Sequence, residues 1–230
     1  MKAYFEGQIG LSQKFSVVAP KPLPVGTFSS KIIVSATCGV NHTIFLSRDG
    51  SVFVCGNNEK GVLGLPPSKH QKLVELNKSL FNEKAIISAA CGKEHTLFLT
   101  DDHQVWGCGI SLYGQLGFRQ HDDKPNKIHR ITNSSFDSKK VIKIWCAEYT
   151  SFILTENGRF YELWICGQNR NCLAGTVNLF QPTLLLNGDQ LLAPQSSIRH
   201  NEVLCVAASH FSDEGIQDRY YYHTVVLLGK

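Results

Sequence analysis

The segment TCGVNHTIFL, residues 37–46, decides the architecture of this chain, because it returns 53 residues later as ACGKEHTLFL, residues 90–99. The same offset aligns further landmarks downstream: Asp49-Gly50 with Asp102-His103, Phe53–Gly56 with Trp106–Gly109, and Gly61–Gly64 with Gly114–Gly117. A single offset that fits four landmarks indicates an internal repeat.

A third copy begins at Cys146, where the offset is 55 residues and Thr150 takes the place of His42 and His95. The two ends of the chain carry half copies of the unit. The pattern predicts one repeat domain over residues 1–230, made of a half repeat at 1–24, repeats at 32–65, 85–118 and 141–175, and a half repeat at 202–228.

Each copy has the local pattern of strand, tight turn and strand. Asp49-Gly50 and Asn157-Gly158 separate β-branched and apolar runs, and such dipeptides reach the positive φ angles of two-residue hairpin turns. Ser68–Leu80 has leucines at helical spacing and is the one predicted helix. A repeat of about 53 residues built from short strands predicts an all-β fold, a β-propeller with about four blades.

Composition limits the cellular setting. The chain is 43% hydrophobic and 18% charged, its apolar runs are too short for a membrane span, and its N-terminus lacks the apolar segment of a signal peptide. We therefore expect a compact, soluble protein in the cytoplasm, the nucleus or both. A formal net charge of +4 is too small to indicate a general nucleic-acid binder.

The eight cysteines have no C-x-x-C spacing, which argues against a metal knuckle. Without a secretory signal, reduced thiols packed as small hydrophobes are expected in place of a disulfide framework. The sequence predicts no bound metal and no cofactor.

The string C-G-x-x-H-T, followed by a D-G turn, an aromatic-x-C-G and a G-x-L-G, resembles the blade repeat of the regulator-of-chromosome-condensation propeller family. The resemblance implies a propeller, with seven blades in the well-known members. Some members are guanine-nucleotide exchange factors for the Ran GTPase that also dock on chromatin, and others are binding modules in ubiquitin ligases, kinases and trafficking regulators.

About four repeats fit into 230 residues, so three arrangements are compatible with the sequence. The chain is a fragment of a longer ring, a small ring closed by its two half repeats, or an open arc completed by another chain.

Residues that recur at one position of every repeat are interpreted as scaffold. His42, His95 and His223 are expected to form hydrogen bonds within the repeat, and Trp106 and Trp164 to pack in the core. Motifs of phosphate loops, hydrolases and metalloproteases are absent from the sequence. We therefore expect no catalytic residues of the chain's own.

Function is then expected where the repeat is interrupted. The largest interruption lies in the last half repeat, before His223, and we predict it as a partner-binding insertion loop. Tyrosines give large contact area at low entropic cost, and the acids and arginine add charge. A solvated loop whose tyrosines lean on the blade is the alternative interpretation. The predicted contact residues are Phe211, Asp213, Glu214, Asp218, Arg219, Tyr220 and Tyr221.

A second candidate is the basic loop from Arg119 to Lys140, where Arg119, Lys124, Lys127 and Arg130 could contact phosphates or an anionic protein surface. A solvated connection between blades is the alternative.

Three functions are compatible with these features. The first is nucleotide exchange on a Ran-like small GTPase, with a carboxylate such as Asp213, Glu214 or Asp218 engaging the lysine of the GTPase phosphate loop. The second is a non-catalytic scaffold or adaptor that binds a protein partner. The third is docking on chromatin or nucleic acid through the basic loop.

Overall fold

The computed structural model describes residues 23, 26–134, 136–157, 160–168, 178–186, 202–212 and 220–229. They form three four-stranded antiparallel sheets and one two-stranded sheet. Blade 1 comprises β1 (Ile33–Cys38), β2 (His42–Ser47), β3 (Val52–Gly56) and β4 (Gln71–Glu75). Blade 2 comprises β5 (Ile86–Cys91), β6 (His95–Thr100), β7 (Val105–Gly109) and β8 (Asn126–Arg130). Blade 3 comprises β9 (Lys140–Cys146), β10 (Thr150–Asn157), β11 (Phe160–Gln168) and β12 (Asn178–Leu186), and the two-stranded sheet pairs β13 (Glu202–Ser212) with β14 (Tyr220–Gly229).

Each four-stranded sheet is a meander, with its strands in chain order. The first strands β1, β5, β9 and β13 contact one another in succession, so they form the inner side of the array. This arrangement confirms the predicted all-β propeller fold. In the described part of the chain no α-helix occurs, and no helix is long and apolar enough to cross a membrane.

The predicted repeats at 32–65 and 85–118 hold the first three strands of blades 1 and 2. The fourth strand of each blade lies beyond its predicted repeat, at Gln71–Glu75 and at Asn126–Arg130. The predicted half repeat at 202–228 matches the β13–β14 hairpin. The half repeat at 1–24 lies outside the described residues, apart from residue 23.

The hydrophobic core lies in the seams between blades. Successive side chains of a strand point to opposite faces, so one blade contributes to two seams. Ile44 and Val54 of blade 1 pack in one core with Phe98 of blade 2, whereas Leu97 and Leu99 of blade 2 pack in the next core with blade 3. Because each apolar face is buried only by its neighbour, a single blade could not be stable alone.

The predicted helix over Ser68–Leu80 is wrong. Residues 71–75 form β4, paired with β3 through Val54 and Val74, and a short 3-10 helix follows at Lys78–Phe81. Phe81 is buried, and its ring centre lies 5.1 Å from that of Phe98. The apolar residues of this segment therefore belong to a strand and to the core of a seam, not to one face of a helix.

The predicted two-residue turn at Asp49-Gly50 is a three-residue turn. The Ser47 N–H donates to the Ser51 carbonyl at 2.9 Å, which leaves Arg48, Asp49 and Gly50 in the loop. Gly50 has φ +77° and closes the turn in the left-handed region. In blade 2 His103 takes the same position with φ +63°, where its Nδ1 lies 2.9 Å from the Val141 carbonyl of blade 3.

Candidate protein-interaction face

The turns between the first and second strands share one geometry, and we call residues 39–41, 92–94 and 147–149 the inner turns. The N–H of the first turn residue donates to the carbonyl of the residue that opens the second strand, at 3.0 Å from Gly39 to His42, 2.9 Å from Gly92 to His95 and 2.8 Å from Ala147 to Thr150. The inner turns and the connections between third and fourth strands lie at one end of the blades, which we call the inner-turn face.

The histidine after each of the first two inner turns bridges a seam. His42 Nε2 lies 3.1 Å from Thr96 Oγ1 of blade 2, and His95 Nε2 lies 3.0 Å from Ser151 Oγ of blade 3. Each hydroxyl donates its hydrogen to a main-chain carbonyl, Val62 at 2.7 Å and Gln115 at 2.6 Å. Since a hydroxyl has one hydrogen to donate, each imidazole must be the donor, with its proton on Nε2.

These histidines are neutral structural groups. Burial lowers the pKa of His42 to about 4 and that of His95 to about 3, from an ordinary value of 6.5. Each Nε2–H is committed to its seam. The scaffold interpretation of His42 and His95 therefore agrees with the geometry, and the side chain of His223 lies outside the description.

A glycine lies three residues before each of these two histidines, because the imidazole ring occupies the space that a side chain at the glycine position would need. A Cβ built at Gly92 would overlap with the ring of His95 and lie 2.8 Å from the Ala147 carbonyl oxygen. Blade 3 changes both positions together, with Ala147 for the glycine and Thr150 for the histidine. Thr150 Oγ1 donates within its own blade, to the Gln168 carbonyl at 2.5 Å, whereas His42 and His95 bond to the following blade.

Four cysteine thiols also contact main-chain carbonyls across the seams. Cys91 Sγ lies 3.7 Å from the Thr37 carbonyl, Cys146 Sγ lies 3.4 Å from the Ala90 carbonyl, and the thiols of Cys108 and Cys166 contact the Val62 and Gln115 carbonyls. Burial raises the pKa of Cys91 and Cys166 to about 12. Every cysteine whose side chain is described is free, and of these Cys38 is exposed. Cys172 and the side chain of Cys205 lie outside the description.

The predicted insertion corresponds to an extended inner turn. The pair Ala208–Thr224 in β13–β14 matches Cys38–Thr43 in blade 1. Blade 1 closes one pair later, whereas β13 and β14 continue through His210–Tyr222, Phe211–Tyr221 and Ser212–Tyr220. At a rise of about 3.3 Å per residue, three added pairs extend the hairpin by about 10 Å at this end of the blade.

The structure therefore changes part of the predicted loop. Phe211, Tyr220 and Tyr221 lie in paired strands, not in a loop. The other predicted contact residues, Asp213, Glu214, Asp218 and Arg219, fall in the connection at 213–219, outside the described residues.

The predicted basic loop is partly a strand, because Lys127 and Arg130 belong to β8. Most of its cations have partners nearby. Arg119 stacks on the ring of Phe180 at 4.9 Å, and Lys124 and Arg130 form ion pairs with Asp122 at 3.4 Å and Asp137 at 3.9 Å. Lys127 is exposed. These four side chains therefore make separate local contacts.

The structure also reveals a cleft on the inner-turn face that sequence reasoning missed. It has a volume of about 270 Å³, lies between blades 1 and 2, and is lined by Val40, Asn41, His42, Asn57, Glu59, Lys60, Val62, Lys93 and Glu94. The sequence signal was present in the repeat itself. The two central residues of the inner turn differ in every copy, as Val-Asn, Lys-Glu and Glu-Tyr, while the glycine and histidine that flank them recur in blades 1 and 2.

In the parts of the chain whose side chains are described, no three His, Cys, Asp or Glu side chains are grouped to hold a metal ion. The polar residues that recur in the blades bond across the seams. The arrangement is suited to presenting a surface to another protein.

Comparison with known proteins identifies the repeat. The family model described as "Regulator of chromosome condensation (RCC1) repeat" matches residues 49–99, and a second model with the same description matches residues 33–62 and 86–115. The guanine nucleotide exchange factor SRM1 of Saccharomyces cerevisiae is 28% identical over 164 residues, which are 71% of this chain and 33% of that protein. The chain thus spans about a third of the length of this relative.

Two solved structures have the same fold. Human WBSCR16 gives a TM-score of 0.63 at 20% identity, over 77% of this chain and 43% of that one. Prp20p of Saccharomyces cerevisiae, a structure described with its binding properties to Gsp1p and histones, gives 0.55 at 24% identity, over 69% of this chain and 40% of that one. These sequence matches identify regulator of chromosome condensation (RCC1) repeats over residues 33–115 of this chain, and the two solved structures share its propeller fold.

Proposed function

We propose that this chain is a protein-interaction propeller that regulates a small GTPase, with Ran-type guanine-nucleotide exchange as its specific activity. The similarity to an exchange factor and to a structure known for binding Gsp1p supports this kind of partner. Such a role would place the chain in the nucleus, the cytoplasm or both.

The observation that carries the proposal is the extended β13–β14 hairpin. It lengthens the inner turn of its sheet by three residue pairs, whereas the inner turns of blades 1 to 3 are short. A hairpin that is longer than the inner turns of blades 1 to 3 offers additional chain at this face for contact with a partner.

An exchange factor acts by differential affinity. It binds the nucleotide-free GTPase more tightly than the loaded form, so its binding lowers the affinity for GDP by the same factor. No chemical step on the propeller is required. In this proposal a carboxylate from Asp213, Glu214 or Asp218 engages the phosphate-loop lysine after the phosphates have left.

The test is release of a fluorescent GDP analogue from Ran and a small panel of other GTPases. We expect the chain to accelerate release from one of them, and the triple variant D213N/E214Q/D218N to lose the acceleration. The control E83Q/D101N neutralises two exposed acids beside the turn between β6 and β7, at the opposite end of the blades, and should retain full activity. Absence of acceleration by folded protein on the whole panel would reject exchange on these GTPases.

The second candidate is a non-catalytic scaffold or adaptor. The repeated histidines form hydrogen bonds across the seams, so they are not available to a ligand. This observation favours a role in which the chain acts through its exposed surface. This role predicts that a captured partner binds equally well in its GDP, GTP and nucleotide-free forms. A difference of tenfold or more between these forms would reject it in favour of exchange.

Chromatin docking through the basic segment is a variant of the scaffold role. Since Lys124 and Arg130 have acidic partners, Lys127 is the cation whose reversal should matter most. We expect K127E to reduce the slope of log affinity against log salt for a DNA duplex by about one. An unchanged slope in the variant K124E/K127E/R130E would exclude this segment as a nucleic-acid contact.

A further inference from the structure

One side of blade 1 carries the residues of a seam, but part of it is open to solvent. Five residues on this side are called the open face: Phe28, Ile33, Ala36, Cys38 and Phe45. A shift of 53 residues leads from them to five residues of blade 2: Phe81, Ile86, Ala89, Cys91 and Phe98. These five counterparts all take part in the core between blades 1 and 2. Blade 1 therefore has the side chains of a seam at a place where blade 2 uses them to pack on its neighbour.

The opening is confined to the inner half of this side. Every residue of the open face is more exposed than its counterpart in blade 2, and Ala36 and Cys38 are the most exposed. Phe53, farther from the inner side, is only 3% exposed, and Phe28 packs edge-on against it with ring centres 5.3 Å apart. The part of the face that is free to accept another surface is thus formed by β1 and β2.

Polar groups on blade 1 indicate the chemistry of the missing neighbour. In the seam between blades 1 and 2, Thr96 Oγ1 receives the Nε2–H of His42 at 3.1 Å, and Cys91 Sγ contacts a main-chain carbonyl of blade 1. Thr43 and Cys38 are the counterparts of these two residues. Their side chains lie 3.7 Å from each other, within their own blade. A complementary surface supplies a histidine N–H and a main-chain carbonyl, as a preceding blade does.

The packing of the other blades shows which strands such a neighbour contributes. A blade docks through its first strand on the first two strands of the blade before it, since β5 contacts β1 and β2, and β9 contacts β5 and β6. The open face therefore requires a partner with a first and a second strand. The β13–β14 sheet has this form, and its register places His223 and Thr224 where blade 1 has His42 and Thr43.

The β13–β14 sheet of the same chain lies at the other end of the array. The first strands contact one another in the order β1, β5, β9 and β13. Among the described strands, neither β13 nor β14 makes an extensive contact with blade 1. The part of WBSCR16 on which this chain superposes is less than half of that propeller chain, so the blades follow an arc of a larger ring. The two ends of such an arc point away from each other.

We propose that the open face binds the β13–β14 sheet of a second copy of this chain, with His223 of the second copy donating to Thr43. The proposal is independent of the proposed GTPase regulation. Because the two surfaces differ, the contact is heterologous, and a half-turn between the copies closes it into a dimer with two identical seams. With four sheets from each copy, the ring stays within the range of about four to eight blades that propellers adopt.

Sedimentation of the full chain over a range of protein concentrations tests the association. We expect a dimer with twice the 25.6 kDa of one chain. The variant A36E places a carboxylate in the new seam and should weaken dimerisation at least about hundredfold. Since Ala36 is exposed in the single chain, dilute A36E should keep the urea midpoint of the dilute parent chain.

The matched control V34E introduces the same charge on the same strand. Val34 is 53% exposed, and its counterpart Ile87 is 47% exposed although blade 2 is packed in a seam on this side. The position thus stays exposed when a seam forms, and V34E should dimerise like the parent chain. A dimer that A36E does not weaken, or that V34E weakens equally, would place the contact elsewhere and overturn the proposal.

The assigned bond is tested by T43V and H223A. Each single variant should weaken dimerisation about tenfold for each seam, because it leaves one partner of a buried hydrogen bond unpaired. The double variant T43V/H223A should lose less than the product of the single effects, since both changes remove the same bond. Independent effects would show that His223 does not meet Thr43 and would overturn the assigned contact.

The reactivity of Cys38 reports how the face is covered. Iodoacetamide should label Cys38 in dilute, monomeric protein and spare it at concentrations where the dimer forms, because Cys38 then lies in a seam as Cys91 does. A chain that stays monomeric with a reactive Cys38 at every concentration would overturn the proposal. A monomer with a protected Cys38 would overturn it as well, because the chain would then cover its own open face.

Discussion

Blade 3 replaces both the glycine and the histidine that blades 1 and 2 share, and this joint replacement leads to a quantitative prediction about the inner turns. In the variant G92A the new methyl group would overlap with the ring of His95, which is fully buried and tied to Ser151 across the seam. The ring cannot move without breaking that bond. Overpacking costs about 1–3 kcal/mol and a disrupted buried hydrogen bond about 1–3 kcal/mol, so we expect G92A to lose about 2–4 kcal/mol.

The variant H95T removes the ring and the bond across the seam, and we expect a loss of about 2–4 kcal/mol. The double variant G92A/H95T reproduces the pair that blade 3 carries as Ala147 and Thr150. In the double variant the methyl group enters the space that the ring has left. Its loss in free energy of unfolding should therefore be about 2 kcal/mol smaller than the sum of the two single losses. Part of the cost remains, because the new Cβ still lies 2.8 Å from the Ala147 carbonyl oxygen.

Urea unfolding followed by tryptophan fluorescence measures this coupling. A matched control combines G92A with H103N, which lies in the turn at the opposite end of β6, and should be additive within about 0.5 kcal/mol. Additivity of G92A and H95T within the same margin would refute the steric explanation of the glycine. A double variant that loses more stability than the sum of the losses of G92A and H95T would refute this explanation equally.

The buried histidines and the thiols give two further predictions. In the unfolded chain His42 and His95 take up protons as the pH falls through 6.5, whereas in the folded chain they stay neutral to about pH 4. The unfolded state thus binds more protons, and stability should fall by about 2 kcal/mol per histidine between pH 6.5 and pH 5, measured by urea unfolding; H95T should remove one of the two contributions. Native iodoacetamide labelling with peptide mapping should modify the exposed Cys38 and spare Cys108 and Cys166, whose burial raises their pKa; labelling of all three at one rate would contradict the seam description.

The repeat could be predicted from the sequence because propeller blades use the same residues for the same contacts. His42 and His95 recur at one position since each makes the same bond to the following blade. The helix over Ser68–Leu80 was mispredicted because the leucine spacing there reflects separate contacts. Leu76 and Phe81 are buried in the seam core, while Val74 pairs with β3, and local periodicity does not distinguish these uses.

The cleft residues could not be predicted in the same way. Asn57, Glu59 and Lys93 are polar residues of connections, and such residues are usually solvated. Their proximity depends on how the connection after β3 meets the inner turn of the next blade, which is a tertiary contact between segments more than thirty residues apart. The available signal was the position of two variable residues between the glycine and the histidine that recur in blades 1 and 2.

The sequence by itself determined the repeat, the strand-rich blades and the scaffold role of the recurring residues, because these depend on local pattern and its recurrence. The tertiary structure decided which residues meet across a seam. It assigned the proton to Nε2 of His42 and His95, explained Ala147 and Thr150 as a coupled pair, and opened a charged cleft between two blades. These features depend on distances between blades, and no single blade's sequence encodes the surface against which it packs.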